Sequence, residues 1–138
     1  MAKSYFLAKT EPGTYSIEQF AAEGRTDWDG VRNAQALQAV KAMKPGDGVW
    51  IYHSGGVSAV AGMARVAGKP EPDPDDAKSW RVAMEFVTMI DPPVTLAEIK
   101  ASGLFEDWAL VRQSRLSTMA APESFVDWMR AKYPRLKI

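Results

Sequence analysis

Trp28-Asp29-Gly30-Val31-Arg32-Asn33-Ala34-Gln35-Ala36 sets an indole, a carboxylate, a glycine, a guanidinium and two amides in one turn that opens into a helix. Asn33 is a favourable N-cap, and Ala36, Leu37, Val40 and Met43 follow it at helical spacing. Lys44-Pro45-Gly46-Asp47 ends that helix sharply, and Gly24 to Asp29 before it reads as a loop. The chemistry of the turn suits a flat heterocycle: Trp28 can stack on its face, while Asn33 can donate to and accept from its edge. Backbone N–H groups at the helix start can receive a carbonyl or phosphate oxygen. A plainer reading stands beside this one: a core tryptophan, an asparagine cap and an Asp–Arg surface pair.

Outward from the turn, strands and short helices alternate. Ser4 to Thr10 is a strand closed by Glu11-Pro12-Gly13. Ser16 and Gln19 have capping-box spacing for a short helix that buries Ile17 and Phe20. Gly48 to His53 is apolar on both faces, which places it centrally in a sheet, and Ser54-Gly55-Gly56 turns it into a strand from Val57 to Ala67. Gly62 marks a bulge or a close approach in that strand. Pro70 to Asp76 is a surface loop, Trp80 to Ile90 a long strand, and Asp91-Pro92-Pro93 its stop. Thr95 and Glu98 cap a helix bearing Leu96 and Ile99, Trp108 to Val111 is a further strand, and Pro122 opens a last helix with Phe125, Met129 and Tyr133 on one face. The pattern predicts one α+β domain over residues 1–138, with a bent, mainly antiparallel sheet forming a partial barrel.

Composition excludes several chemistries. The 138 residues contain no cysteine and one histidine, so thiolate metal sites, disulfides and cysteine nucleophiles are absent, and a histidine-built zinc site is not expected. Lysine plus arginine and aspartate plus glutamate both number 17, so nucleic-acid contact should be local rather than a long phosphate grip. The charge is unevenly spread: Glu71 to Asp76 is acidic, and the segment from Arg112 onward is basic. There is no membrane-length apolar run and no leader-like opening, so a cytoplasmic protein is expected. No heptad pattern declares an oligomeric state.

Other side chains gather at strand ends. Tyr52-His53-Ser54 can line a pocket mouth, or be a half-buried tyrosine beside an exposed histidine. Lys9-Thr10-Glu11 sets an amine and a carboxylate beside a hydroxyl, a conceivable activated nucleophile, although neighbours on a strand point to opposite faces. Arg112, Arg115 and Ser117 suit phosphate or carboxylate contacts, or are solvated surface charge. Trp80 follows the acidic loop and can border a pocket, whereas Trp50 and Trp128 read as packing.

These motifs, in this order, resemble the EVE domain, a PUA-like family related to thymocyte nuclear protein and to the YTH and ASCH domains. Tyr5-Phe6-Leu7-Ala8-Lys9-Thr10-Glu11-Pro12 is similar to its opening strand, with Phe6 where tryptophan is usual. Trp28 to Asn33 matches its most specific motif, and Tyr52-His53-Ser54, Ala59 to Gly62, and Arg112 to Ser117 match later ones. The resemblance implies a PUA-like partial barrel that binds a modified base in DNA or RNA without catalysing a reaction and without cofactor or metal. It implies that Trp28, Asn33, Tyr52, His53 and Ser54 surround the base, and that Lys9, Arg32, Arg112 and Arg115 serve the backbone or the pocket rim. Thr10, Val31, Trp80 and Ser117 complete the set of candidate ligand-binding residues. Two alternatives remain open: an ASCH-like amidohydrolase acting on a modified nucleoside through Lys9-Thr10-Glu11, and a module that binds a small molecule.

Overall fold

The computed structural model describes residues 3–136. Its elements run β1 (Tyr5–Thr10), α1 (Ile17–Glu23), β2 (Arg25–Val31), α2 (Ala34–Ala42), β3 (Gly48–His53) and β4 (Ala59–Val66). Then come β5 (Glu71–Asp73), β6 (Asp76–Thr95), α3 (Leu96–Ala101), α4 (Ala109–Arg112), β7 (Thr118–Ala120) and α5 (Glu123–Lys132). One curled, half-barrel sheet orders its strands β2-β6-β4-β3-β1-β7, with β5 added against β6. Among the described residues only β1 and β3 run parallel, in the register Tyr5–Gly48 to Thr10–His53, and the other pairings are antiparallel. The result is the expected α+β architecture.

β3 is central, as its two-sided apolarity requires: Val49, Trp50 and Ile51 are fully buried between β4 and β1. One side of the sheet receives α5 and an aromatic cluster. Trp50 meets Phe125 edge-on at 5.5 Å, and Phe125 lies 4.7 Å from Trp108 and 5.8 Å from Trp128. Trp50 and Trp128 therefore pack. A second cluster sits under α1, where Phe20 contacts Trp28 at 6.2 Å and Phe86 at 5.8 Å. Gly62 is the close approach its position suggested. A Cβ there would collide with Ile17, whose Cγ1 would lie 2.7 Å away, and would crowd the Thr88 carbonyl at 3.1 Å. α1 can lie this close to the sheet only over a glycine.

Four expectations are corrected. Gly24 to Asp29 is not a loop but most of β2. It pairs only with β6, and an edge strand supplies its backbone to the ladder while Arg25, Asp27 and Asp29 stay exposed, so no apolar alternation shows. Pro70 to Asp76 is likewise not all loop, because β5 pairs with β6 across a short turn and β6 already begins at Asp76. Asp91-Pro92-Pro93 does not stop the long strand. The ladder with β4 steps from Gly62–Met89 to Val60–Val94, so the prolines sit in a bulge that asks no N–H of them. Trp108 to Val111 is not a strand. Trp108 caps α4, and its carbonyl accepts from the Val111 and Arg112 N–H groups at 2.9 and 3.1 Å. The strand of that region is β7, which adds to β1 at Phe6–Ala120, Leu7–Met119 and Ala8–Thr118.

Candidate functional site

β1, the turn into α1, and β2 end around one concavity of about 470 Å³, walled by Lys9, Thr10, Thr14, Tyr15 and the run Thr26-Asp27-Trp28-Asp29. The size falls within the usual range of small-ligand pockets. α1 is anchored beneath it from two sides. The Ser16 side chain accepts from the Gln19 N–H at 3.1 Å, and the Ile17 N–H donates to His53 Nε2 at 3.0 Å. His53 thus serves as an acceptor at the helix start. Thr10 Oγ1 donates to the Tyr15 carbonyl at 2.8 Å, and the Tyr15 hydroxyl donates to Glu23. Burial and the Glu23 carboxylate both push the Tyr15 phenol above its usual value. Tyr15 and Trp28 meet edge to face at 6.2 Å.

Trp28 is 8% exposed, a core side chain that shows only a margin to the cavity. Both readings of it therefore have a part in the structure: it packs on Phe20 and it borders the pocket. Asn33 accepts from the Ala36 N–H at 3.1 Å, which makes it the cap of α2 and leaves its amide N–H₂ facing outward as a donor. Arg32 pairs with Asp76 at 2.6 Å rather than with Asp29. Val31 is buried opposite Trp80, and its carbonyl accepts from the buried Ser79 hydroxyl at 2.9 Å. That bond fixes the end of β2, and with it the start of α2.

Lys9 joins this concavity to a second. Its ammonium donates to the Ser114 carbonyl at 2.9 Å and lies 5.5 Å from the centre of the Tyr52 ring. Burial lowers its pKa from the ordinary lysine value. Ser114 lines a groove of about 330 Å³ with Asn33, Arg112, Gln113 and Arg115. Arg112 is held there by the Glu106 carbonyl at 3.0 Å and by Asp107 at 3.4 Å, while Arg115 is exposed. The Ser117 carbonyl accepts the Lys9 N–H at 2.8 Å, which fastens this basic segment to β1. Tyr52 is buried, which raises its phenol pKa, and Ser54 bonds to the Thr10 carbonyl through its N–H at 2.9 Å.

The structure thus brings Trp28, Lys9 and Thr10 to one cavity and Asn33, Arg112 and Arg115 to its neighbour. Tyr52, Ser54 and Ser117 line neither, and His53 lines a separate pocket with Ile17, Glu18, Met89 and Asp91. Trp80 lies apart, opposite Val31 and Pro72, with the Lys41 ammonium 4.9 Å from its ring centre. Sequence reasoning missed Thr14, Tyr15, Thr26, Asp27 and Asp29 as wall residues. The signal for three of them was the strand hidden in the supposed loop. Among the described residues there is no cluster that could hold a metal ion, and no helix is long and apolar enough to cross a membrane.

Comparison with known proteins agrees with this architecture. Human thymocyte nuclear protein 1 is 28% identical over 162 residues, covering 91% of this chain and 72% of that protein. A solved structure from Agrobacterium tumefaciens is 34% identical with a TM-score of 0.87, covering 94% of this chain and 93% of that one. The structure of human THYN1 protein in complex with 5-methylcytosine-containing DNA is 26% identical with a TM-score of 0.84, covering 94% and 97%. The EVE domain itself matches residues 4–132, so this chain belongs to the EVE domain family.

Proposed function

We propose that this chain is a non-catalytic reader of a modified base in nucleic acid, and that the chain forms one such domain. The observation that carries the reading is the solved relative that holds 5-methylcytosine-containing DNA on the same fold over 94% of this chain. The cavity between β1 and β2 would take the base, with Trp28 and Tyr15 against its ring. Lys9 would donate to a ring carbonyl. Thr10, Tyr52, His53, Ser54 and Val31 would hold the walls in place. Arg115, Arg112 and the Asn33 amide would meet the sugar–phosphate next to the base, since the Lys9–Ser114 hydrogen bond joins a wall residue of the cavity to one of their groove. A base outside a duplex costs little to insert, and each ring stacked on an aromatic face contributes roughly 1–3 kcal/mol.

The test is anisotropy with short oligonucleotides carrying plain, 5-methyl-, 5-hydroxymethyl- or N-methylated bases, as DNA and as RNA, at fixed salt. Selective binding of one modified base is expected. Equal affinity for every member, or for none, would overturn the reading. A second reading, hydrolysis of a modified nucleoside, is favoured by Lys9 alone, whose lowered pKa suits a base beside Thr10. The Thr10 hydroxyl, however, donates to the Tyr15 carbonyl rather than to an amine or a carboxylate. Turnover of an acylated cytidine would promote that reading.

A further inference from the structure

Asp29 occupies the cavity wall and no other described side chain needs it. Arg32, its neighbour in sequence, is taken by Asp76 at 2.6 Å. Asp27 lies two residues earlier on the same strand and lines the same cavity, while the nearby Arg81 is hydrogen-bonded to Glu71 at 2.9 Å. On the facing side stands Lys9. An ammonium has three hydrogens to donate; one goes to the Ser114 carbonyl at 2.9 Å, and the others remain for a ligand. The cavity therefore presents donors on its β1 side and acceptors on its β2 side.

A carboxylate is an acceptor only. It welcomes an amine and repels a carbonyl oxygen. Along the hydrogen-bonding edge of a cytosine, an exocyclic amine stands at one end and a carbonyl at the other. Along that of a uracil or thymine, both ends are carbonyls. Resting on the base-reader reading above, we propose that Asp29, with Asp27 beside it, makes this cavity select an amino-bearing pyrimidine and reject its keto counterpart. The amine N–H₂ donates to the β2 carboxylates, and Lys9 Nζ donates to the ring carbonyl at the other end. Rejection comes from the unfavourable pairing of carboxylate with carbonyl, a repulsive element that sharpens specificity beyond what the attractive contact gives. It is also the arrangement in which replacing a donor by an acceptor leaves two lone-pair groups facing one another.

5-Methylcytosine and thymine provide a matched pair. They share ring, methyl group and size, and they differ at position 4, amine against carbonyl, with the accompanying change at N3. Two single-stranded DNA oligonucleotides differing only in that base remove any duplex-opening contribution. Wild-type protein is expected to bind the 5-methylcytosine strand at least tenfold more tightly than the thymine strand. Asp29→Asn offers an amide that can donate to the thymine carbonyl, so the ratio should fall, and Asp27→Asn combined with it should bring the ratio near one. The gain should come partly from tighter thymine binding, which a merely damaged fold cannot produce. Equal affinity of the wild type for the two strands, with both bound, would overturn the carboxylate assignment and leave the base reader standing. A ratio unchanged in the double variant would also overturn it. Binding of neither strand would also overturn the selectivity, and the full oligonucleotide panel then decides separately whether a base reader remains.

Discussion

Lys9 is half-buried at the end of β1, and burial lowers its pKa from the ordinary lysine value. In the window between the lowered folded value and the ordinary unfolded one, the unfolded chain binds the proton more readily. Stability therefore rises with pH through that window. Ligand binding should run the other way, because a carbonyl acceptor favours the ammonium. Affinity is expected to stay flat at lower pH and to decline as pH climbs through the lowered Lys9 value. Lys9→Met should abolish that limb and weaken binding about tenfold or more, the equivalent of a charged hydrogen bond of ~1.5–3 kcal/mol. Anisotropy titrations of both proteins from neutral to alkaline pH, with thermal melts alongside, check the two signs together. Trp28 needs a different treatment. With 8% exposure it is a core side chain, so Trp28→Ala should cost about 3–5 kcal/mol of stability. Loss of binding in that variant would not by itself assign a site; Tyr15→Leu, at a half-buried position on the same wall, reads stacking with less damage. The indole was legible in the sequence because its motif is distinctive. Tyr15, Asp27 and Asp29 were not, because nothing local says which loop or edge residues the sheet curls around.

At the scale of elements, strength of pattern decided what could be read. β3 and β4 announce themselves through burial on both faces, and α2 through its cap and stripe. β2 and β7 do not: one is an edge with two buried residues, and the other is three residues long. Their pairing partners are distant in sequence, and only tertiary contact reveals them. α4 misled because Trp108 and Leu110 alternate like a strand and are both buried, while Trp108 packs on Phe105 and Phe125. Two substitutions test the elements that frame the cavity. Asn33→Ala should cost about 1 kcal/mol through loss of the α2 cap, while Asn33→Asp keeps the cap and should leave the denaturant midpoint near that of the wild type. If the Asn33 amide also meets the ligand, both variants bind more weakly, so the aspartate variant separates capping from contact. Gly62→Ala places a methyl group against Ile17 and should destabilise by about 1–3 kcal/mol, read as a shifted unfolding midpoint with unchanged slope.

The whole molecule sets the form that affinity can take. Seventeen basic and 17 acidic residues cancel, and several arginines are already engaged: Arg25 and Arg65 with Glu85, Arg81 with Glu71, Arg32 with Asp76. What faces the proposed nucleic acid is a short basic segment beside one cavity, with Arg115 exposed and Arg112 shared with Asp107. Such a surface can neutralise only a few phosphates. Each phosphate neutralised releases counterions and adds about 0.9 to the slope of log K against log salt for duplex DNA, or about 0.7 for a single strand. A slope of magnitude roughly 1–3 is therefore expected, well below that of proteins that grip many phosphates. Arg115→Ala should lower it by about one phosphate and weaken all oligonucleotides alike, leaving preference among bases intact. Arg112→Ala should change it less, because Asp107 already screens that guanidinium. Base-pocket variants should do the reverse, removing preference while leaving the slope in place. The measurement is affinity at four or five salt concentrations for each protein. A slope of magnitude about 6 or more would mean a wide phosphate grip, and would move the main source of affinity away from the cavity between β1 and β2.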